Sequence, residues 1–352
     1  MEIKEDNILF LIGAGCSKDA GIKISDEMVT DVENLIKKDK KWIKHQELYY
    51  YLRSSIEYSE GIFGNFHKIF NIEKLLIVIA ELKKKEKNLV FPFIGNWNNR
   101  LIDVAGKNFE NLKELEELIY GKIFDWVNIK DLSKGTYYKG FGSFKNEIGK
   151  LIRIFSLNYD LLFERTLENN YDIELGFDPS DRTWQYANFE EDDKRDIHFY
   201  LYKLHGSIDW QKSKNKIMRC DSPIQNSEII FGTDTKLKSV DPYLFYVFEF
   251  RKWTLSINCK LIITLGYSFS DEYINSLISQ ALSQLENRNL LIIRPFDNNE
   301  ETIKNEIMQR LQLGDQSDQI ELLNFSAKEF LEDKLNLTFL INYMPKDEDS
   351  PF

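Results

Sequence analysis

Short apolar runs alternating with amphipathic helical patterns predict an α/β protein with a parallel sheet flanked by helices. The runs at residues 8–12, 151–157, 261–265 and 290–293 are short and largely apolar, the pattern of strands covered on both faces. Between the last two, Ile274, Leu277, Ile278, Ala281, Leu282 and Leu285 recur at helical spacing. Several of these strands run straight into a polar or glycine-rich turn, and in open parallel sheets ligands bind beyond the carboxyl ends of the strands.

In chain order, the first strand ends in the turn Gly13-Ala14-Gly15-Cys16-Ser17. Ser25, with Asp26 and Glu27 behind it, is suited to cap a helix over residues 26–38, whose apolar residues Met28, Val32, Leu35 and Ile36 would pack on the first strand. From about 40 to 148 the pattern is helical and rich in aromatics and charge, including Trp42, Tyr49, Tyr50, Tyr51, Trp97 and Trp126. Ile72, Leu75, Leu76, Ile79 and Leu82 line one helical face, and Leu112, Leu115, Leu118 and Ile119 another. We read this stretch as a helical insertion, suited to core packing and to a lid or an oligomer contact.

The sheet is expected to resume at 151–157, followed by a helix from Asp160 and strands at 197–204 and 228–231. Pro242 suits the first turn of a helix reaching about Asn258. Ser270 is placed to cap the helix after the 261–265 strand, and Ser326 with Glu329 forms a capping-box pattern near the end. The expected organisation is one domain over 1–335, with sheet parts at about 1–38 and 150–335 and the insertion at about 40–148. Residues 336–352 form a C-terminal tail that reads as frayed or used in assembly.

A net charge of −11 over 352 residues argues against nucleic-acid binding through the whole surface, since phosphate neutralisation needs clustered Lys and Arg. The run from Lys37 to Lys41 reads as a solvated helix face. Cys16, Cys220 and Cys259 are too few and too scattered for a disulfide framework or a four-cysteine zinc site, so no metal is expected and a reducing cytoplasm fits. The acidic start and the five-residue apolar run after it are neither a signal peptide nor a membrane span.

Gly13 and Gly15 remove Cβ atoms from the first turn, which would let its backbone N–H groups close on a diphosphate at the start of the next helix. The third glycine of a dinucleotide fingerprint is missing: Lys18 stands there, and Gly21 comes three residues late. Three later segments have the same strand-then-polar-turn form: residues 155–160 (Phe-Ser-Leu-Asn-Tyr-Asp), 204–210 (Leu-His-Gly-Ser-Ile-Asp-Trp) and 265–271 (Leu-Gly-Tyr-Ser-Phe-Ser-Asp). In order and spacing these four segments together resemble the sirtuin-like (SIR2-like) NAD-binding family, in particular its bacterial branch, many of whose members are anti-phage defence NADases. The resemblance covers about residues 7–24 and 150–295, and its specificity lies in the combination.

That resemblance implies a Rossmann-like fold with NAD+ as substrate. Gly13, Ala14, Gly15, Ser17, Ile22, Gly266, Tyr267, Ser268 and Asn275 would then be cofactor-side residues, while Asn158, Asp160 and His205 would surround the nicotinamide ribose. The residue types suit the chemistry. Cleavage between ribose and nicotinamide passes through an oxocarbenium-like centre, so the site must orient the ribose, shield positive charge and deliver a nucleophile. Asn158 offers both a donor and an acceptor, His205 titrates near neutrality, and Asp160 supplies a carboxylate. Each also has a structural reading: Asn158 and Asp160 as turn and cap residues, His205 as a strand-end histidine, Ser17 and Asp271 as helix-start residues, Cys16 as packing.

Sirtuin deacylases follow the glycine turn with Gly-Ile-Pro-x-Phe-Arg, where this chain has Gly21-Ile22-Lys23-Ile24-Ser25-Asp26, and they carry a zinc ribbon of two cysteine pairs. Both features are missing, which favours hydrolysis of NAD+ over deacylation or ADP-ribosyl transfer; a non-catalytic NAD or ADP-ribose sensor is the other alternative. The resemblance further implies an NAD-depleting effector of an anti-phage abortive-infection system. It would be restrained by homo-oligomerisation or by a separately encoded partner such as a HerA-type ATPase or a short Argonaute. No Arg or Lys cluster follows Ser268 directly, so NAD is expected in preference to NADP.

Overall fold

The structure, a computed structural model, describes residues 4, 6–62, 70–84, 99–189, 196–214, 216–224, 227, 229, 241–297, 299–314 and 317–345. The chain forms two compact units, one of residues 1–22 and 127–352, the other Lys23–Trp126.

The first unit is built on a seven-stranded sheet, ordered β3-β4-β2-β1-β7-β8-β9 and parallel throughout. Its strands are β1 (Ile8–Ile12), β2 (Ile152–Ser156), β3 (Ile173–Glu174), β4 (Phe199–Lys203), β7 (Leu261–Leu265), β8 (Asn289–Ile293) and β9 (Ile320–Leu323). Every residue of β1 and β7 is buried, as continuous apolar runs in the middle of a two-sided sheet must be. A separate antiparallel hairpin joins β5 (Trp210–Ser213) to β6 (Lys216–Arg219). The strand order reverses at β1, which puts the topological switch point between β1 and β7.

The second unit is helical, with α1 (Ser25–Lys38), α2 (Gln46–Ile62), α3 (Ile72–Lys83) and α4 (Glu110–Val127) among its members. The apolar stripes read from sequence form its interior: Val32, Ile36, Leu75, Ile79, Leu112, Leu115 and Ile119 are buried. α1 packs on α3, and its start differs from expectation. Ser25 is the first helical residue; its hydroxyl accepts from the Ile72 N–H at 3.2 Å, and Glu27 reaches back to the Ile24 N–H at 3.0 Å.

Residues 127–148 fold with the sheet and end in α5 (Lys139–Ile148). Further helices are α6 (Leu162–Leu167), α7 (Tyr243–Thr254), α8 (Glu272–Gln284) and α9 (Glu300–Leu311). α7 stops at Thr254, short of the expected Asn258. Asp271, not Ser270, caps α8, accepting from the N–H groups of Tyr273 and Ile274, while Ser270 bonds the Ser268 hydroxyl. The Ser326–Glu329 capping box is present. Of the strand expected at 228–231 only Ile229 is described, bridging Gly206; Trp97 and residues 346–352 also lie outside the described residues. No described helix is long and apolar enough to cross a membrane. Among the described residues no cluster of His, Cys, Asp or Glu is arranged to hold a metal, and all three cysteines are free thiols.

Candidate functional site

Strand register assembles the site. Lys203, Ser156, Ile12, Leu265 and Ile293 stand side by side in one row across β4, β2, β1, β7 and β8. One or two residues beyond that row come His205, Asn158, Gly13 and Gly266. The four motifs separated in sequence are therefore neighbours at the carboxyl edge of the sheet, on both sides of the switch point.

At the centre of this edge is a buried polar cluster. The Ser17 hydroxyl, fully shielded from solvent, donates to Asp160 Oδ2 at 2.8 Å and accepts from Asn158 Nδ2 at 3.1 Å. It also meets the Tyr138 hydroxyl at 2.9 Å. With its single proton on the carboxylate, Ser17 must accept from the other two partners, which fixes the amide of Asn158 with its NH₂ inward. The remaining amide atom, Asn158 Oδ1, is buried and has no hydrogen-bond partner among the described residues. An orphaned buried acceptor is costly to the free protein.

Asp160 does two jobs: Oδ2 takes the Ser17 proton while Oδ1 accepts the Leu162 N–H and starts α6. Burial pushes its carboxyl above the usual carboxylate range, against the pull of Lys203, the Leu162 N–H and Ser17. The Lys203 ammonium, itself buried, donates to the Asp160 backbone carbonyl and to Glu164 Oε1, so β4 pins the Asn158–Asp160 turn from below.

His205 Nε2 lies 3.1 Å from Asp271 Oδ2, with Tyr159 stacked obliquely at 6.2 Å between ring centroids. Asp271 thus combines the helix-cap role expected of it with a carboxylate held against the imidazole. Such a contact fixes the orientation of the ring.

The glycines play a part that phosphate access alone does not explain. A Cβ on Gly13 would sit 2.7 Å from the Gly266 carbonyl oxygen, and one on Gly15 2.8 Å from the Gly266 Cα. A Cβ on Gly266, which sits at φ +60°, would meet the Cys16 nitrogen more closely still. The two loops therefore dock backbone to backbone. Gly13 N–H donates to Leu265 O, Gly15 N–H to Gly266 O and Cys16 N–H to Gly13 O, so these three groups bind protein here rather than facing outward. Ala14 and Ser268 are exposed at the edge, and Ile22 is buried. Tyr267 and Asn275 shape the second loop: the Tyr267 hydroxyl donates to Asn275 Oδ1 at 2.8 Å, and Asn275 Nδ2 to the Phe269 carbonyl at 2.8 Å. Cys16 is packed away, its thiol pushed up to about 12 by burial.

Sequence reasoning missed Tyr138, Lys203 and the His205 partnership of Asp271. Tyr138 lies in an aromatic-rich stretch with no local sign of its polar partner, whereas a lysine at the end of an apolar strand, as at Lys203, is a signal that was there to be read.

Residues 152–313 match the SIR2-like domain family. The matched stretch is just under half of the chain; it carries the Asn158, His205 and Gly266 segments and leaves out the opening glycine turn. This SIR2-like match supports an NAD-related function in general terms. Among solved structures, a mutant Sir2 homologue in complex with 2′-O-acetyl-ADP-ribose is similar, at 14% identity, 96% of this chain, 91% of that chain and a TM-score of 0.43. No curated protein matches the chain in sequence.

Proposed function

We propose that the chain is an NAD+ glycohydrolase, cleaving NAD+ with water to nicotinamide, ADP-ribose and a proton. The observation that carries this reading is the orphaned Asn158 Oδ1, held by a fixed hydrogen-bond chain at the strand-end edge where the neighbouring strand leads to His205. The SIR2-like match over the same segments supports it.

In this reading Asn158 Oδ1 accepts from a hydroxyl of the nicotinamide ribose or from the attacking water. Binding supplies the donor that the free site lacks. The glycosidic C–N bond breaks, nicotinamide leaves with the electron pair, and positive charge builds on the ribose. Asp160 lies on the far side of Ser17, where it holds the serine and, through it, the asparagine. Water adds to the ribose carbon and loses its proton to His205, whose imidazolium is stabilised by Asp271. In the same reading the rest of the dinucleotide runs along the exposed edge at Ala14 and Ser268, with Gly13, Gly15, Ser17, Ile22, Gly266, Tyr267 and Asn275 supporting that edge from beneath.

An unrestrained NADase would harm its own cell. The proposal therefore includes control by homo-oligomerisation or a separately encoded partner, a HerA-type ATPase or a short Argonaute, within an anti-phage defence system in the cytoplasm. The test is incubation of the purified chain with NAD+, alone and with each kind of partner, with chromatography of the products. Nicotinamide and ADP-ribose in equal amounts support the reading; NAD+ left intact in every assembly, with binding retained, turns it to a sensor.

A further inference from the structure

The row of strand ends that holds the catalytic segments continues to β8, and its next residue is Arg294. Ile293 stands beside Leu265, and its carbonyl accepts the Gly266 N–H at 3.1 Å, so Arg294 begins alongside the Gly266–Ser268 loop. From α9 a second arginine arrives at the same loop: Arg310 Nη1 donates to the Ser268 carbonyl at 2.6 Å. Arg294 and Arg310 are 26 and 42 residues from Ser268 in sequence, which is why no basic cluster is visible after that turn.

Arg294 is half-buried, and among the described residues its guanidinium has no hydrogen bond or ion pair. Burial holds its pKa below the ordinary arginine range, and the neighbouring charge of Arg310 pushes the same way, only partly offset by Glu306. Arg294, half-buried and unpaired, and Arg310, anchored on the Ser268 carbonyl, come to the same loop, an arrangement that an anion stabilises. Guanidinium groups suit phosphate, with their forked donors.

We infer that Arg294 and Arg310 form a phosphate subsite at the Ser268 edge of the crevice, taking a phosphate on the adenosine half of the dinucleotide. This rests on the reading of the Asn158–His205 end as the nicotinamide end. The phosphate is either the 2′-phosphate of NADP+ or the diphosphate common to NAD+ and NADP+, and the subsite removes the ground for expecting NAD+ to be preferred.

The experiment is calorimetric binding of ADP and of 2′,5′-ADP to the full chain and to the variants Arg294→Ala, Arg294→Lys and Arg310→Ala, each checked by thermal melting. Loss of a charge-assisted hydrogen bond should weaken binding by roughly 10- to 100-fold. A loss for 2′,5′-ADP alone assigns the subsite to the 2′-phosphate; a loss for ADP, the only one of the two probes that carries a diphosphate, assigns it to the diphosphate whether or not 2′,5′-ADP is weakened as well. Arg310→Ala, at an exposed position, keeps the test valid if Arg294→Ala fails to fold. Unchanged affinities in folded variants, or no binding of either ligand by the unaltered chain, overturn the subsite. Because neither probe is cleaved, this outcome is separate from that of nicotinamide release: release that persists with unchanged affinities would sink the subsite and leave the proposed activity standing.

Discussion

Ser17 and Asp160, 143 residues apart, are joined by a hydrogen bond of 2.8 Å from the serine hydroxyl to the carboxylate. This bond ties the glycine turn after β1 to the polar turn after β2, and through the same hydroxyl it fixes the direction of Asn158. Ser17→Ala removes a group with three partners and leaves buried polar atoms unpaired. We expect it to cost about 1–3 kcal/mol of stability and to slow nicotinamide release, measured by chemical denaturation and by product chromatography. A variant as stable and as active as the unaltered chain would remove Ser17 from the account.

Lys203 tests the support under the site. Burial pushes the Glu164 carboxyl above the usual carboxylate range, and Lys203, 3.0 Å away, is the main influence holding it down. In Lys203→Met the folded-state value rises further. The folded protein then keeps the Glu164 proton over a pH range in which the unfolded chain has lost it, so stability falls as pH rises through that range. Breaking a buried pair costs roughly 3–5 kcal/mol. The loss in melting temperature is expected to be largest at neutral pH and smaller in mildly acidic buffer, and an equal loss in both would contradict this.

Asp271 separates a cap from a catalytic partner. Asn is as good a helix cap as Asp, so Asp271→Asn keeps the start of α8 while removing the negative charge beside His205. We expect nearly unchanged melting and a fall in kcat of roughly 10²-fold or more, with KM little altered. Unchanged kcat would leave Asp271 as a cap alone.

Gly266→Ala tests the docking of the two loops. The new methyl would press on the Gly15 and Cys16 backbone at a left-handed position, where L side chains are strained. A cost of about 1–3 kcal/mol from the backbone conformation alone is expected, with loss of nucleotide binding. Gly121→Ala, where the added Cβ meets nothing within 4 Å, is the control and should be near neutral.

The sheet was legible in sequence where strands are buried on both faces, as in β1, β7 and β8, because nothing but a continuous apolar run satisfies that environment. β3 was not, since two residues carry no pattern, and the β5–β6 hairpin follows His205-Gly206 without an alternating signal. The capping box at Ser326 was readable because both partners are three residues apart. Ser270 was mistaken for a cap because the residue beside it, Asp271, does that work with a stronger acceptor. At the candidate site, residues on polar turns after their own strand could be named, whereas Tyr138 and Arg310 come to it from helical stretches distant in sequence. Sequence spacing holds no record of such contacts.

The most direct measurement is nicotinamide release by Asn158→Ala, in whichever assembly makes the unaltered chain active. The account predicts a variant that melts and assembles normally and has lost roughly 10²-fold or more in rate, the scale of effect that misplacing a reacting group produces. Release at near the unaltered rate by a well-folded Asn158→Ala would contradict the claim that its amide oxygen is the acceptor around which the reaction is organised.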